Sequence, residues 1–250
     1  MNRAASCLVA LAIAPAAAAD FPRNEARLFG AHENLDNGFA DWREAGAEFQ
    51  WQAARDRGAF LRVRETERYG ERDREAAAGF SAPVAPGWVL AFEGSGAPSP
   101  QVLPEWSALA TLSRVFGEGW VASAAARRTR YATSSVSGAI AGLERYAGSF
   151  RLAWSLFLSR PEHAAWSSTH RLAATWYGEG LTRAEAGFAR GRESEFVPGT
   201  GLATSDVRSA TLSASLGLAP AWALTLDLER QRQGNRYTRE TIRLGTRLLF

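Results

Sequence analysis

The sequence predicts an all-β protein, a transmembrane antiparallel up-and-down β-barrel of about fourteen strands. Three observations predict this fold. Apolar and polar residues alternate with a period of two along many segments, which is typical of strands and not of helices. These segments run to about ten or twelve residues, close to the ~9 to 11 that a tilted membrane strand needs and longer than the ~5 to 6 usual in soluble sheets. An apolar N-terminal leader also indicates export.

The alternation is clearest at 222–231, where three leucines share one face while Asp227 and Glu229 lie on the other. The same pattern recurs near 42–53 and 149–159. A secreted β-sandwich would also alternate, because one face of each sheet is solvated. Strand length favours the membrane barrel, and so do aromatic residues near strand ends, as in the girdles of membrane barrels. These aromatic residues are Trp42, Trp88, Trp106, Trp120, Trp166, Trp176, Tyr177 and Trp222.

Fourteen strands account for the alternating segments, and an even count places both chain ends on the periplasmic side. The strands are predicted near 27–33, 42–53, 59–68, 75–84, 87–95, 106–116, 119–131, 135–145, 149–159, 165–176, 181–190, 206–217, 221–231 and 237–250. Twelve is the alternative count, because 75–84 and 106–116 alternate poorly. The connections 34–41, 96–105 and 189–206 are predicted to be extracellular loops. The last is charged and carries Phe196, so it either binds a saccharide or partner or is a solvated loop without a ligand.

Residues 1–19 are predicted to be a cleaved secretory signal, which leaves 20–250 as the barrel. The single cysteine, Cys7, lies inside this leader, so disulfides, thiol catalysis and cysteine-ligated metals are excluded from the mature chain. All 29 basic residues are Arg; one of them, Arg3, lies in the leader, and the others nearly balance 26 acidic residues. That balance argues against a nucleic-acid partner. We predict a monomer in the outer membrane of a Gram-negative bacterium, in contact with membrane lipid and lipopolysaccharide.

The last strand, TIRLGTRLLF at 241–250, places Leu244, Leu248 and Phe250 on one apolar face. This ending resembles the C-terminal signature by which the barrel assembly machinery recognises outer-membrane proteins. The resemblance implies that these three residues are an assembly signal, with that machinery as a partner during biogenesis.

Several segments, in their order and spacing, resemble the YaiO family of outer-membrane β-barrels. They are WREAGAEFQW (42–51), AFLRVRETERYG (59–70), LPEW (103–106), ARRTRY (126–131) and GNRYTRETIRLGTRLLF (234–250). The resemblance covers roughly residues 25 to 250. It implies a single barrel in the outer membrane and brings no catalytic residues or cofactor with it.

Strand parity places a set of charged side chains inside the barrel. They are Glu44, Glu48, Arg62, Arg64, Asp227, Glu229, Arg243 and Arg247. Arg239, Arg243 and Arg247 are predicted to face Asp227 and Glu229 across the closing hairpin. One hypothesis is structural, because buried charges must be paired or solvated. The other is a narrow water-filled pore whose surplus Arg favours anions. The structural role is favoured, and the two are compatible, so the predicted function is a structural or transport-like barrel with an Arg-rich lumen.

The alternative function is an outer-membrane acyl hydrolase acting on lipid or lipopolysaccharide through Ser168 and His170. Being two residues apart on a strand, these side chains share a face, and a His can activate a Ser for attack on an ester. Known enzymes of this kind have His before Ser, and no third, orienting group is identified here. The three histidines, His32, His163 and His170, lie on two distant segments, and His163 and His170 lack the close spacing of a ligand pair, so no metal site is predicted. We therefore predict no catalytic site, no metal and no cofactor.

Overall fold

The computed structural model describes residues 23–197 and 201–250, which form one closed antiparallel barrel. The predicted leader at 1–19 lies outside these ranges. The strands are β1 (Arg23–Leu35), β2 (Trp42–Ala54), β3 (Arg57–Arg68), β4 (Glu71–Ala85), β5 (Trp88–Gly96), β6 (Trp106–Phe116), β7 (Trp120–Arg130), β8 (Ser135–Ala147), β9 (Phe150–Pro161), β10 (Ser167–Tyr177), β11 (Arg183–Val197), β12 (Gly201–Ala219), β13 (Trp222–Gln233) and β14 (Tyr237–Leu249). Each strand pairs with its neighbours in chain order, and β1 pairs with β14. The predicted fold class and the count of fourteen are confirmed, and the alternative of twelve is wrong. Within the described ranges, no helix has the length and apolarity to cross a membrane.

The two faces of each strand differ as the period of two predicts. Outward faces carry large apolar side chains that are well exposed, such as Leu61 at 55%, Leu152 at 60% and Leu244 at 62%. Inward faces carry charged and hydroxyl side chains, such as Glu44 and Thr111, which are buried. An apolar outside around a polar inside is the reverse of a soluble protein and is typical of outer-membrane barrels.

The two ends of the barrel differ in the length of their connections. We call the end that holds Arg23 and Phe250 the terminal end, and the opposite end the distal end. At the terminal end, β2–β3 and β4–β5 are joined by two residues each, whereas at the distal end β1–β2 and β5–β6 are joined by 36–41 and 97–105. The seam continues to Phe250, whose backbone N–H and carbonyl both bond Asn24, at 3.1 and 3.0 Å.

The predicted loop at 189–206 is wrong, apart from 198–200, which lie outside the described residues. β11 and β12 pair without interruption from Arg183 opposite Ser215 to Val197 opposite Gly201. These strands have 15 and 19 residues, more than the ~9 to 11 that span a membrane. The extra length mixes polar residues with small and apolar ones, such as Arg192 and Phe196 on the outward face, so it gives no alternating signal.

Two of the aromatic residues assigned to the girdles lie inside the barrel instead. Trp42 is fully buried, and Tyr177 has the inward parity of its neighbour Thr175. Trp42 shares the parity of Glu44 on β2, and this parity, more than its place at a strand end, decides which way it faces.

Charged chains and a distal plug inside the barrel

The interior of the barrel is crossed by chains of ion pairs, and one of them contains three of the eight predicted charged residues. The Glu44 carboxylate accepts hydrogen bonds from Arg243 of β14 at 2.7 Å and from Arg64 of β3 at 3.2 Å. Arg64 in turn places Nε 3.0 Å from Oε1 of Glu75 on β4. Signs alternate along this chain, so each buried charge has a partner of opposite sign, which offsets the cost of removing it from water.

A second chain runs parallel to the first and contains Glu48 and Arg62. Glu48 lies 3.6 Å from Arg27 of β1 and 3.7 Å from Arg62 of β3. Arg62 also donates to Glu93 of β5 at 3.3 Å. Glu75 and Glu93, which extend these two chains to β4 and β5, are absent from the predicted set. Strand parity would have found them, because both lie on inward positions of predicted strands.

The predicted partners of the β14 arginines are only partly those observed. Arg247 makes a bidentate pair with Glu25 of β1, at 2.9 and 2.8 Å, and Arg243 donates to Glu44 of β2. Both therefore reach across the seam of the barrel and away from β13. Asp227 is in register with Arg243, while Glu229 lies 3.7 Å from Arg239. The β13–β14 register correctly gives the backbone neighbours of these arginines, but their long side chains form ion pairs with carboxylates on other strands.

A further ion-pair cluster joins β9, β10 and β11. Glu185 accepts from Arg151 at 2.8 Å, from Arg171 at 3.0 Å and from the Thr175 hydroxyl at 2.8 Å. Arg151 and Glu185 are on strands that are not neighbours. A prediction that pairs charges only between adjacent strands therefore misses this ion pair.

Near the distal end, aromatic rings in the interior form a cluster with guanidinium groups. Trp42 lies between Arg68, at 4.7 Å from its ring, and Arg239, at 5.6 Å. Tyr69 and Tyr237 pack edgewise on the same indole, with ring centroids 5.1 and 5.8 Å away. Such cation–π and edge-to-face contacts gain strength when water is excluded.

Glu195 of β11 ties this aromatic group to the opposite wall. Its carboxylate accepts hydrogen bonds from the Tyr69 and Tyr237 hydroxyls at 2.8 Å and from Arg236 at 3.2 Å. Burial raises the pKa of Tyr69, and the negative charge of Glu195 raises it further. The Tyr69 phenol therefore keeps its proton and remains a donor to Glu195.

The connection 97–105 folds inward at the same end. Asp73, an inward residue of β4, accepts from the backbone N–H groups of Gln101 at 2.9 Å, Val102 at 2.8 Å and Leu103 at 2.7 Å. Val102 and Leu103 are buried. We call the loop 97–105, together with Trp42, Tyr69, Tyr237, Arg68, Arg239 and Glu195, the distal plug. The apolar run Val-Leu-Pro within a polar loop is the sequence signal that this loop packs inward.

Ser168 and His170 share an outward face, as predicted, and both are exposed. Their surroundings do not favour the hydrolase. Among the described residues no hydrogen bond joins the two side chains, and the in-register neighbours of His170 are Leu156 and Arg190. A catalytic histidine needs an acidic or amide partner to stabilise its cationic form, and Arg190 does the opposite. In the described ranges, no group of three or more His, Cys, Asp and Glu side chains is placed to hold a metal ion.

Comparison with protein families gives a match over most of the chain. The model of the YaiO membrane β-barrel domain matches residues 23–195. This range covers β1 to most of β11, so it includes all the chains described above except their β14 members. A comparison with proteins of curated function finds no match.

Solved structures with a similar fold include two channels and OmpF. A mutant of the monoaromatic hydrocarbon channel TodX has a TM-score of 0.60 at 11% identity, over 93% of this chain and 91% of that chain. The COG4313 outer-membrane channel from Pseudomonas putida F1 has a TM-score of 0.55 at 11% identity, over 95% and 98%. OmpF of Salmonella typhi, in complex with daunomycin, has a TM-score of 0.50 at 10% identity, over 91% and 97%. At these identities the likeness concerns the fold alone.

Proposed function

Since this chain belongs to the YaiO family of membrane β-barrels, we propose that it is a narrow ion-conducting channel in the outer membrane. The channel runs along the charged interior and is narrowed by the distal plug. The passing solutes are small inorganic or organic ions. The ion-pair chains serve both roles that the sequence suggests, because they brace the wall and line the path.

The observation that carries this proposal is the polar character of the interior from one end to the other. Glu25 and Arg247 lie near the terminal end, Glu44 and Arg243 lie further along the same strands, and Arg239 lies in the distal plug. Charges in such numbers need water or one another to offset the loss of hydration. Ion pairs alone can brace a barrel, but a polar interior that extends from one end to the other also admits water and small ions.

The terminal mouth gives this channel a preference for anions. Three guanidinium groups contact the carboxylate of Glu25: those of Arg247, of Arg23 at 3.7 Å, and of Arg27, which Glu48 also neutralises. Arg183 adds a fourth, being in register with Ser215, whose hydroxyl lies 3.4 Å from Arg247. A mouth with surplus positive charge raises the local concentration of anions. Elsewhere the alternating chains leave less net charge.

Planar-bilayer recording of the refolded protein tests the proposal. We expect discrete current steps and a reversal potential, in a KCl gradient, displaced toward that of chloride. Folding is checked separately by migration of unboiled protein on a denaturing gel. Folded protein that inserts but gives no current steps would refute the channel and leave the structural role.

A further inference from the structure

A row of basic side chains crosses four adjacent strands on the outward face near the distal end. His170 of β10 is in register with Arg190 of β11, Arg190 with Arg208 of β12, and Arg208 with Arg232 of β13. All four side chains are exposed. We call them the basic row.

Like charges directly opposite one another on neighbouring strands are destabilising. Outward arginines next to the row are compensated, because Arg192 lies 3.6 Å from Asp206 and Arg230 lies 3.5 Å from Glu240. Within residues 23–197 and 201–250, no carboxylate forms an ion pair with an arginine of the basic row. The row therefore places several positive charges side by side, whereas Arg192 and Arg230 beside it are paired with carboxylates.

The basic row lies at the edge of the apolar band. On β12 the outward residues from Leu218 through Leu216 and Leu212 to Ala210 are apolar, and Arg208 follows, ten residues from Leu218. Ten residues rise about 33 Å along a strand, or roughly 25 Å along the membrane normal at a tilt of about 40°. The lipid-facing band of such barrels is about 25 Å tall. Arg208 is therefore at the level of lipid headgroups.

We propose that the basic row binds the phosphate groups of the outer-leaflet glycolipid, the lipid A part of lipopolysaccharide. The guanidinium groups of Arg190, Arg208 and Arg232 provide several donors in a planar fork, which suits phosphate oxygens. The exposed side chains of Leu172 and Phe188, directly toward the terminal end of the row, receive the acyl chains. The distal end then faces the cell exterior, in agreement with its longer connections. This inference is independent of whether the interior conducts ions.

The test is a binding titration of the full barrel in micelles of uncharged detergent, with lipid A that carries both phosphates. The variant R190Q/R208Q/R232Q is compared with R43Q/R128Q/R160Q, which removes three outward arginines of β2, β7 and β9. None of these three is in register with another arginine. Each basic residue near an anionic lipid surface strengthens binding about fivefold, so losing three weakens it by about a hundredfold. The control variant should bind lipid A as wild type does.

Three further probes identify the ligand. Lipid A without phosphates should bind the wild-type barrel as weakly as intact lipid A binds the triple variant. Phosphatidylglycerol vesicles and inorganic phosphate should both compete poorly. Equal binding of lipid A by wild type and R190Q/R208Q/R232Q would overturn the proposal, and so would indifference to dephosphorylation. Competition by inorganic phosphate or phosphatidylglycerol at the same concentration as lipid A would also overturn it, in favour of a general anion site.

Discussion

Replacement of Asp73 by alanine should release the loop 97–105 and increase the current through the barrel. The Asp73 carboxylate holds three backbone N–H groups of this loop at 2.7 to 2.9 Å. Hydrogen bonds to a charged group contribute about 1.5 to 3 kcal/mol each. These values are already net of exchange with water, and because the three bonds share one carboxylate we take about 3 kcal/mol for all of them together. The population of barrels with a released loop then rises about a hundredfold, at 1.4 kcal/mol for each factor of ten.

Planar-bilayer recording measures this effect as the fraction of time that the channel spends at its larger conductance. Asp73→Asn keeps one acceptor oxygen and should give an intermediate increase. Asp206→Ala is the matched control, since this aspartate is also at the distal end but lies on the outward face, 82% exposed. We expect it to match wild type. If Asp73→Ala folds and its current equals that of wild type, the loop does not narrow the path.

Three further predictions concern the seam, the disfavoured pair Ser168 and His170, and assembly. Glu25→Gln breaks the bidentate pair with β14 and should lower the free energy of unfolding by about 3 to 5 kcal/mol. The control Glu240→Gln removes a partner from an exposed pair and should change that free energy by less than about 1 kcal/mol. Equal urea midpoints for the two variants would contradict this. Ser168→Ala should leave fatty-acid release from phospholipid micelles at the wild-type background, and loss of a measurable wild-type activity would restore the hydrolase. Phe250→Ala should reduce the amount of folded protein in the outer membrane more than Leu249→Ala, on the inward side; similar amounts would argue against the assembly signal.

The period of two predicted most of the architecture because lipid and water impose opposite demands on the two faces of a membrane strand. Leu244 and Arg243, one residue apart, show both demands at once. The prediction failed where the strands leave the lipid. There, outward Arg192 and inward Glu193 are both polar, so β11 and β12 resemble a loop in sequence although they continue as a paired hairpin.

The interior contacts were predicted less completely, for reasons of reach and packing. Parity correctly places Arg243 on an inward face. Its side chain has four rotatable bonds, so the guanidinium group reaches past β1 and donates a hydrogen bond to Glu44 of β2. The inward fold of the loop 97–105 follows from its bonds to Asp73, and no periodic pattern encodes these. Trp42 faces inward, into the distal plug, because it lies two residues from the inward Glu44. Its position at a strand end instead suggested a place in the outer aromatic girdle.

The most direct test of the channel compares two glutamates of the β3–β4 hairpin that lie on opposite faces. Glu75 contacts Arg64 at 3.0 Å inside the barrel, and Glu65 contacts Arg74 at 2.9 Å on the outside. The measurement is the reversal potential in a KCl gradient. If ions pass along the interior, Glu75→Gln shifts it further toward chloride, because Arg64 loses a neutralising partner, while Glu65→Gln leaves it at the wild-type value. Equal reversal potentials for the two variants would contradict conduction along the charged interior.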